Sequence, residues 1–382
     1  MRVGFGVSAL CKGLAGGGSD GIGNYTLEML RQFGLRKDLS LVPFAFGQTM
    51  AHEVLAELPG PVAPITLGRY ATNAAWSATT GLNFFGIQRL NQQVDLIHAT
   101  DHYLPKCRPV PLVATLMDAI PLSHPHWSRG HHRGLKNALW IRAAKWADQI
   151  ITISEYSKSE LARWTGISTD KITVIPLGVD ARWFRDVCVN ECLQVRARYA
   201  LPERFFISVG TLQPRKNVEG AILAHRAMSS VERLRTPLVI VGRAGWKCDA
   251  VLKMIEQDKG SGAVRWLQHV PEADLLAVVK SASALVFASL AEGFGLPVLE
   301  AFAAQVPVVT SNTTSLPGVA GDAALMVDPL DISALSEAMR RLVSDEVLAT
   351  DFKQRGLLRA KIFNWQACAE ATFATYEQVL TR

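Results

Sequence analysis

The chain has 382 residues, 49% of them hydrophobic and 19% charged, so it can fill two ordinary domain cores and is too apolar to be disordered. Its six cysteines form no Cys-x-x-Cys pair and no cluster with zinc spacing, which argues for reduced thiols in a cytoplasmic protein and against a disulfide framework or a zinc site. The net charge of +6 invites an acidic partner such as nucleic acid, anionic lipid or a phosphorylated ligand, and no stretch reaches the roughly 18 apolar residues of a membrane span.

The first ten residues, Met1 to Leu10, carry one positive charge on a glycine-broken apolar run too short for a secretion signal, and they fit a first β-strand. Further strand-like runs follow at Leu41–Phe46, Leu96–Ala99, Val110–Leu116 and Gln149–Ile153. A second series lies at Phe205–Val209, Leu238–Val241, Ala263–Leu267, Ala284–Ala288 and Val306–Thr310. Short apolar strands alternating with helix-like stretches predict α/β architecture, with parallel sheets covered on both faces. The stretch Lys171–Asp180 and the irregular sequence up to about Leu201 separate the two series. We therefore expect domains at 1–180 and 181–364, with the ligand in the crevice beyond the strand ends.

Glycines mark one candidate ligand approach. Gly16 to Gly23, including Gly21 and Gly23, follow the first strand and precede a helix expected from Asn24, where a flexible connector and an anion-facing loop both fit. Farther on, Arg129, Arg133, Lys136, Arg142 and Lys145 share a stretch with no acid before Asp148, while Leu135, Leu139 and Trp146 recur on an opposite side. Arg129–Lys145 therefore predicts a basic amphipathic helix, solvated or docked on an anionic membrane surface.

The second series opens with Phe205–Val209, then Gly210-Thr211-Leu212-Gln213-Pro214-Arg215-Lys216-Asn217 and a helix-like stretch Val218–Met228. Asn217 suits an N-cap. Arg215 and Lys216 then flank a strand-to-helix turn where the helix dipole already favours negative charge, and together they can neutralise a diphosphate. The chain contains no Asp-x-Asp, a common way to hold a divalent ion against a diphosphate, so protein cations are expected to do that work without metal or cofactor.

Glu292 and Glu300 lie eight positions apart around Gly293-Phe294-Gly295-Leu296-Pro297. Pro297 suits a first helical turn, which leaves Glu292 in the loop and Glu300 about one turn into an otherwise apolar helix at Val298–Ala304. A lone acid in such a setting needs a partner or a ligand. Two carboxylates on the order of 10 Å apart can grip the hexose and the ribose of one nucleotide sugar.

With these motifs in order, the chain resembles the retaining GT-B glycosyltransferases of family 4, which build bacterial polysaccharides and lipid-linked oligosaccharides. The turn Val209–Asn217 and the run Glu292–Ala301 carry the resemblance, supported by Ile153–Lys158 and Val174–Asp180. It implies two Rossmann-like doubly wound domains facing across a cleft, with a helix at 365–382 crossing back onto the first. It also implies that Glu300 holds the ribose and Glu292 the transferred hexose, while Arg215 and Lys216 carry the leaving diphosphate. Backbone at Gly210, Phe294, Gly295 and Leu296 would face the donor, and Gly21 and Gly23 would approach it from the other domain.

One position departs from the pattern. Many members have a histidine before the aspartate in the stretch Thr115–Pro121, where this chain has Met117. Asp118 remains an acceptor-side or sugar-side candidate, and His98, Asp101 and His102 are weaker ones. By family habit the donor is GDP-mannose first and a UDP-hexose second, and the acceptor is a glycan or lipid-linked saccharide on the inner face of the cytoplasmic membrane. A soluble disaccharide synthase or phosphorylase is the enzymatic alternative. A basic nucleic-acid-binding or scaffold protein is the non-enzymatic one, opposed by the intact set Arg215, Lys216, Glu292 and Glu300.

Overall fold

The computed structural model describes residues 1–15, 21–47, 65–127 and 133–382. The chain forms two compact units, Met1–Gly178 with Trp365–Arg382, and Val179–Asn364.

The sheet of the first unit is parallel throughout and runs in the order β3-β2-β1-β4-β5-β6-β7. Its strands are β1 (Arg2–Gly6), β2 (Ser40–Phe46), β3 (Ile65–Leu67), β4 (Leu96–Ala99), β5 (Leu112–Thr115), β6 (Gln149–Thr152) and β7 (Ile172–Val174). In the second unit the order is β10-β9-β8-β11-β12-β13, again all parallel. Those strands are β8 (Phe206–Val209), β9 (Leu238–Val241), β10 (Val264–Leu267), β11 (Ala284–Phe287), β12 (Val308–Ser311) and β13 (Leu325–Val327). Central strands such as β4, β5, β9 and β11 are buried at every residue, because helices cover both faces and each apolar side chain finds a core.

Each sheet reverses its strand order once, between β1 and β4 and between β8 and β11. At such a reversal the two following connections leave toward opposite faces, which opens a crevice beyond the strand ends. The residues after β8 and β11 therefore include Arg215, Lys216 and Glu292.

The helices that bear on function are α1 (Gly21–Gly34), α2 (Tyr70–Thr80), α3 (Arg133–Ala144), α4 (Val218–Arg226), α5 (Leu296–Ala303), α6 (Glu346–Ile362) and α7 (Trp365–Leu380). Among the described residues no helix is long and apolar enough to cross a membrane.

Several expectations need correction. Ile172–Val174 is not linker but the edge strand β7, paired with β6. Helix α1 begins at Gly21 instead of Asn24, so Gly21 and Gly23 sit in its first turn, while residues 16–20 lie outside the described residues. A Cβ at Gly21 would meet nothing within 4 Å, so space does not demand glycine there. The basic helix is described only from Arg133, leaving Arg129, His131 and His132 outside the described residues. Leu135, expected on its apolar side, is 73% exposed, while Leu139 and Trp146, expected on that side too, pack against the core together with Trp140 and Ile141.

Helix α7 completes the first unit by packing on α1, where Tyr376 meets Phe33 and Trp365 meets Tyr25. The ring nitrogens of His98 bridge the hydroxyls of Tyr376 (2.6 Å) and Thr115 (2.8 Å), and Thr115 also meets Tyr25 at 3.0 Å. All four side chains are buried, and burial holds the His98 pKa down at about 3, so the ring is neutral. His98 is thus a satisfied core residue.

Candidate active site

After β8 the chain turns through Pro214–Lys216 into Asn217, whose φ of 49° is left-handed. Asparagine is among the few non-glycine residues that adopt that conformation readily, because its short side chain can hydrogen-bond nearby backbone. Here the Asn217 side chain accepts from the Gly220 N–H (3.2 Å), capping α4 as the sequence predicts, and donates to the carbonyls of Ala288 and Pro329, both at 2.9 Å. The Leu290 N–H donates to the Arg215 carbonyl (2.8 Å). One side chain and one backbone bond thus lock the turn after β8 to the turn after β11.

Glu292 lies between these turns and is only 6% exposed. Arg215 Nη1 donates to Glu292 Oε2 at 2.5 Å and to the Ala291 carbonyl at 3.2 Å, while Lys216 Nζ donates to Glu292 Oε1 at 2.6 Å. Burial alone would raise the Glu292 pKa, but the Lys216 and Arg215 charges outweigh it and leave the carboxyl below its ordinary value. Burial also lowers the Lys216 pKa, against the pull of Glu292. Two cations and one anion leave a net positive charge at the sheet's crevice, which is the electrostatic requirement for a diphosphate.

The turn that follows is held from outside. The Thr314 hydroxyl accepts from the Glu292 N–H (3.2 Å), and the Ser315 hydroxyl lies 2.8 and 2.7 Å from the carbonyls of Glu292 and Phe294. Gly295 has φ of 124°, and a Cβ there would stand 2.7 Å from Leu316 Cδ2, so glycine is required. Leu296 and Pro297 then open α5, two residues earlier than Val298; Pro297 has no N–H to pair, and the Val298 N–H donates to the Gly295 carbonyl (3.0 Å). Gly210, with φ of 143°, lies where a Cβ would touch the Lys216 side chain at 3.7 Å.

Glu300 is half-buried on α5, and burial pushes its pKa up to about 7. Asp180 and Glu272 push in the same direction, while Arg182 and Lys216 oppose them. Sequence reasoning missed this acidic setting because Asp180, Arg182 and Glu272 are scattered along the chain. Arg182 joins the other two, pairing with Asp180 at 3.5 Å and with Glu272.

In the first unit, Met117 and Asp118 line a cavity of about 480 Å³ together with Tyr70, Tyr103, Arg133 and Trp140. Asp118 accepts from the Ile120 N–H at 2.9 Å. Buried Asp101 and exposed His102 also line it. The aromatic lining was illegible in sequence, since Tyr70, Tyr103 and Trp140 come from three separate segments. Among the described residues no group of three or more His, Cys, Asp or Glu could hold a metal ion.

Two doubly wound parallel units in one chain, each with a strand reversal in its sheet, are the architecture of the GT-B class. The family description "Glycosyltransferase Family 4" matches residues 19–183, and "Glycosyl transferases group 1" matches residues 195–359. The chain belongs to the family 4 glycosyltransferases of the GT-B fold.

Among its relatives is the O-antigen chain mannosyltransferase B of Escherichia coli, 36% identical over 60% of this chain and 61% of that protein. The chain thus spans less than two thirds of that relative. A glycogen synthase of Mycobacterium tuberculosis is 30% identical over 74% of this chain and 68% of its own length. In fold, the chain resembles sucrose-phosphate synthase from Thermosynechococcus elongatus, with a TM-score of 0.76 at 18% identity over 100% of this chain and 99% of that one.

Proposed function

We propose that this chain is a retaining, metal-independent mannosyltransferase that moves mannose from GDP-mannose to a lipid-linked or polymeric saccharide in surface-polysaccharide assembly. The observation that carries this reading is the Arg215–Lys216–Glu292 triplet at the strand reversal of the second unit. The choice of mannose draws support from the 36% identical O-antigen relative.

The chemistry follows from the charges. Arg215 and Lys216 hold the diphosphate, aided by the N–H groups of Phe294, Gly295 and Leu296 at the mouth of α5. Glu300 accepts hydrogen bonds from the ribose hydroxyls, and Glu292 positions the hexose. As the bond from the anomeric carbon to the β-phosphate oxygen breaks, the acceptor oxygen bonds to that carbon on the same face. The acceptor's proton passes to the departing phosphate oxygen, so no enzyme carboxylate bonds the sugar and the configuration is kept. The two side-chain cations supply the neutralisation that a divalent ion would otherwise give, so activity should survive chelation. Asp118 and the cavity around it take the acceptor in the first unit. The setting is the cytoplasmic face of an anionic membrane, approached through Arg129–Lys145.

A panel of nucleotide sugars tests the reading. GDP-mannose at about a hundredfold above its dissociation constant should stabilise the protein by about 2.7 kcal/mol, and once a saccharide acceptor is added it should release GDP with EDTA present. Proton NMR of the product should show the donor's anomeric configuration. If no nucleotide sugar stabilises the chain, or if Glu300→Ala leaves the stabilisation intact, the donor site is misassigned.

A further inference from the structure

Three large apolar side chains stand in solvent on one short stretch of the first unit: Trp76 at 38% exposure, Leu82 at 58% and Phe85 at 63%. Trp76 and Phe85 lie ring against ring, 5.2 Å apart. Gly81, at φ of 78°, ends α2 in the left-handed conformation, and its carbonyl accepts from Lys106 Nζ. The Phe85 N–H donates to the buried Asn73 side chain (3.2 Å), and the Phe84 N–H donates to the Lys106 carbonyl (3.0 Å). Phe84 itself is buried against Trp146. The loop is therefore anchored, and it holds its neighbours outward at a hydrophobic cost that a purely solvated role does not repay.

The sequence around this patch is predominantly basic. Between Ile65 and Ala147 the sequence carries nine Lys and Arg against three Asp and no Glu. Of those acids, Asp101 is buried and Asp95 is paired with Arg2. Lys106 and Arg108 share a small cavity with Asp148 and with Lys145, which follows α3, and α3 packs on α2. Arg108 pairs with Asp148 at 2.8 Å. Lys136 and Arg142 are exposed on α3.

We propose that the 76–85 segment is a membrane anchor: Trp76, Leu82 and Phe85 insert at the headgroup boundary of an anionic bilayer while the Lys106, Arg108 and Lys145 rim binds lipid phosphates. The proposal deepens the membrane-borne acceptor described above and rests on that reading. Tryptophan with aliphatic and aromatic companions suits the interface between water and hydrocarbon, and a cationic rim adds attraction to anionic headgroups. A second copy of the chain fits less well, since a two-fold contact through this patch would bring like charges together.

The full chain is sedimented with vesicles of phosphatidylcholine, alone or with one third phosphatidylglycerol, at physiological salt. The wild-type chain should bind the anionic vesicles and release them as salt rises. The triple variant Trp76→Ser/Leu82→Ser/Phe85→Ser should bind at least about tenfold more weakly, with Phe85→Ser alone showing a smaller loss. The melting temperature and the stabilisation by GDP should be unchanged in both variants, which separates a docking defect from misfolding. Equal binding of wild type and triple variant overturns the proposal, as does no binding to either vesicle. Self-association of the wild type that the triple variant abolishes also overturns it, in favour of a second copy. If the vesicles bind as expected but no nucleotide stabilises any of the three proteins, the donor assignment falls and the anchor stands.

Discussion

Glu292→Gln isolates the contribution of the ion triplet. The substitution keeps the side chain's shape and removes the charge that compensates Arg215 and Lys216, which are themselves mostly buried. Stranding buried cations by deleting their partner costs about 3–5 kcal/mol. For a unit of this size each kcal/mol lowers the melting temperature by about 2–4 °C, so the second unit should melt about 6–20 °C lower. Adding Lys216→Met to Glu292→Gln should restore part of the loss, because one of the stranded charges is then gone. The measurement is a double-mutant cycle by denaturant unfolding, with calorimetry assigning the transition to each unit. A loss under about 0.5 kcal/mol for Glu292→Gln would show that water reaches the triplet freely and that its low exposure is not electrostatic isolation.

Three other outcomes follow from the same geometry. The Glu300 pKa is raised to about 7, so its charge costs the fold nothing below its unfolded pKa near 4.5 and most above about 7. Glu300→Gln should therefore gain stability over wild type at pH 8 and lose that advantage by pH 4, read from urea midpoints at both values, while weakening nucleotide binding. Gly295→Ala must place a Cβ 2.7 Å from Leu316 at a φ of 124°, and should cost about 1–3 kcal/mol in thermal or chemical unfolding. Asn217→Ala removes a helix cap and strips the carbonyls of Ala288 and Pro329 of their donor, so a loss of about 2–4 kcal/mol is expected, with nucleotide binding falling as the two turns separate.

The sequence revealed the sheets well where strands are buried on both faces, because an apolar run such as Leu238–Val241 needs no partner to be recognised. It was silent at three of the four sheet edges, β10 at Val264–Leu267 being the edge strand it did reveal. β3, β7 and β13 are three residues each, and β13 is half exposed, so pairing with a neighbour defines them more than composition does. Asn217 was legible as a cap, since that signal is local. Its second task, holding two carbonyls 71 and 112 positions away in the chain, was not. Helical spacing put Leu135 with Leu139 and Trp146 on one side, and the latter two do pack on the core, but that argument fixes relative sides only and left Leu135 beyond the edge of the buried stripe.

The chain leaves the first unit at Gly178, builds the whole second unit, and returns only at Trp365. Tyr376, which closes the buried hydroxyl relay around His98, thus reaches the first unit only after the ribosome has delivered the whole second unit. At about 5–20 residues per second, the N-terminal sheet waits on the order of 10–40 s with an incomplete interior while the second unit emerges. A premature stop at codon 365 would spare every donor-side residue and still leave the first sheet with an apolar face open to chaperones and proteases.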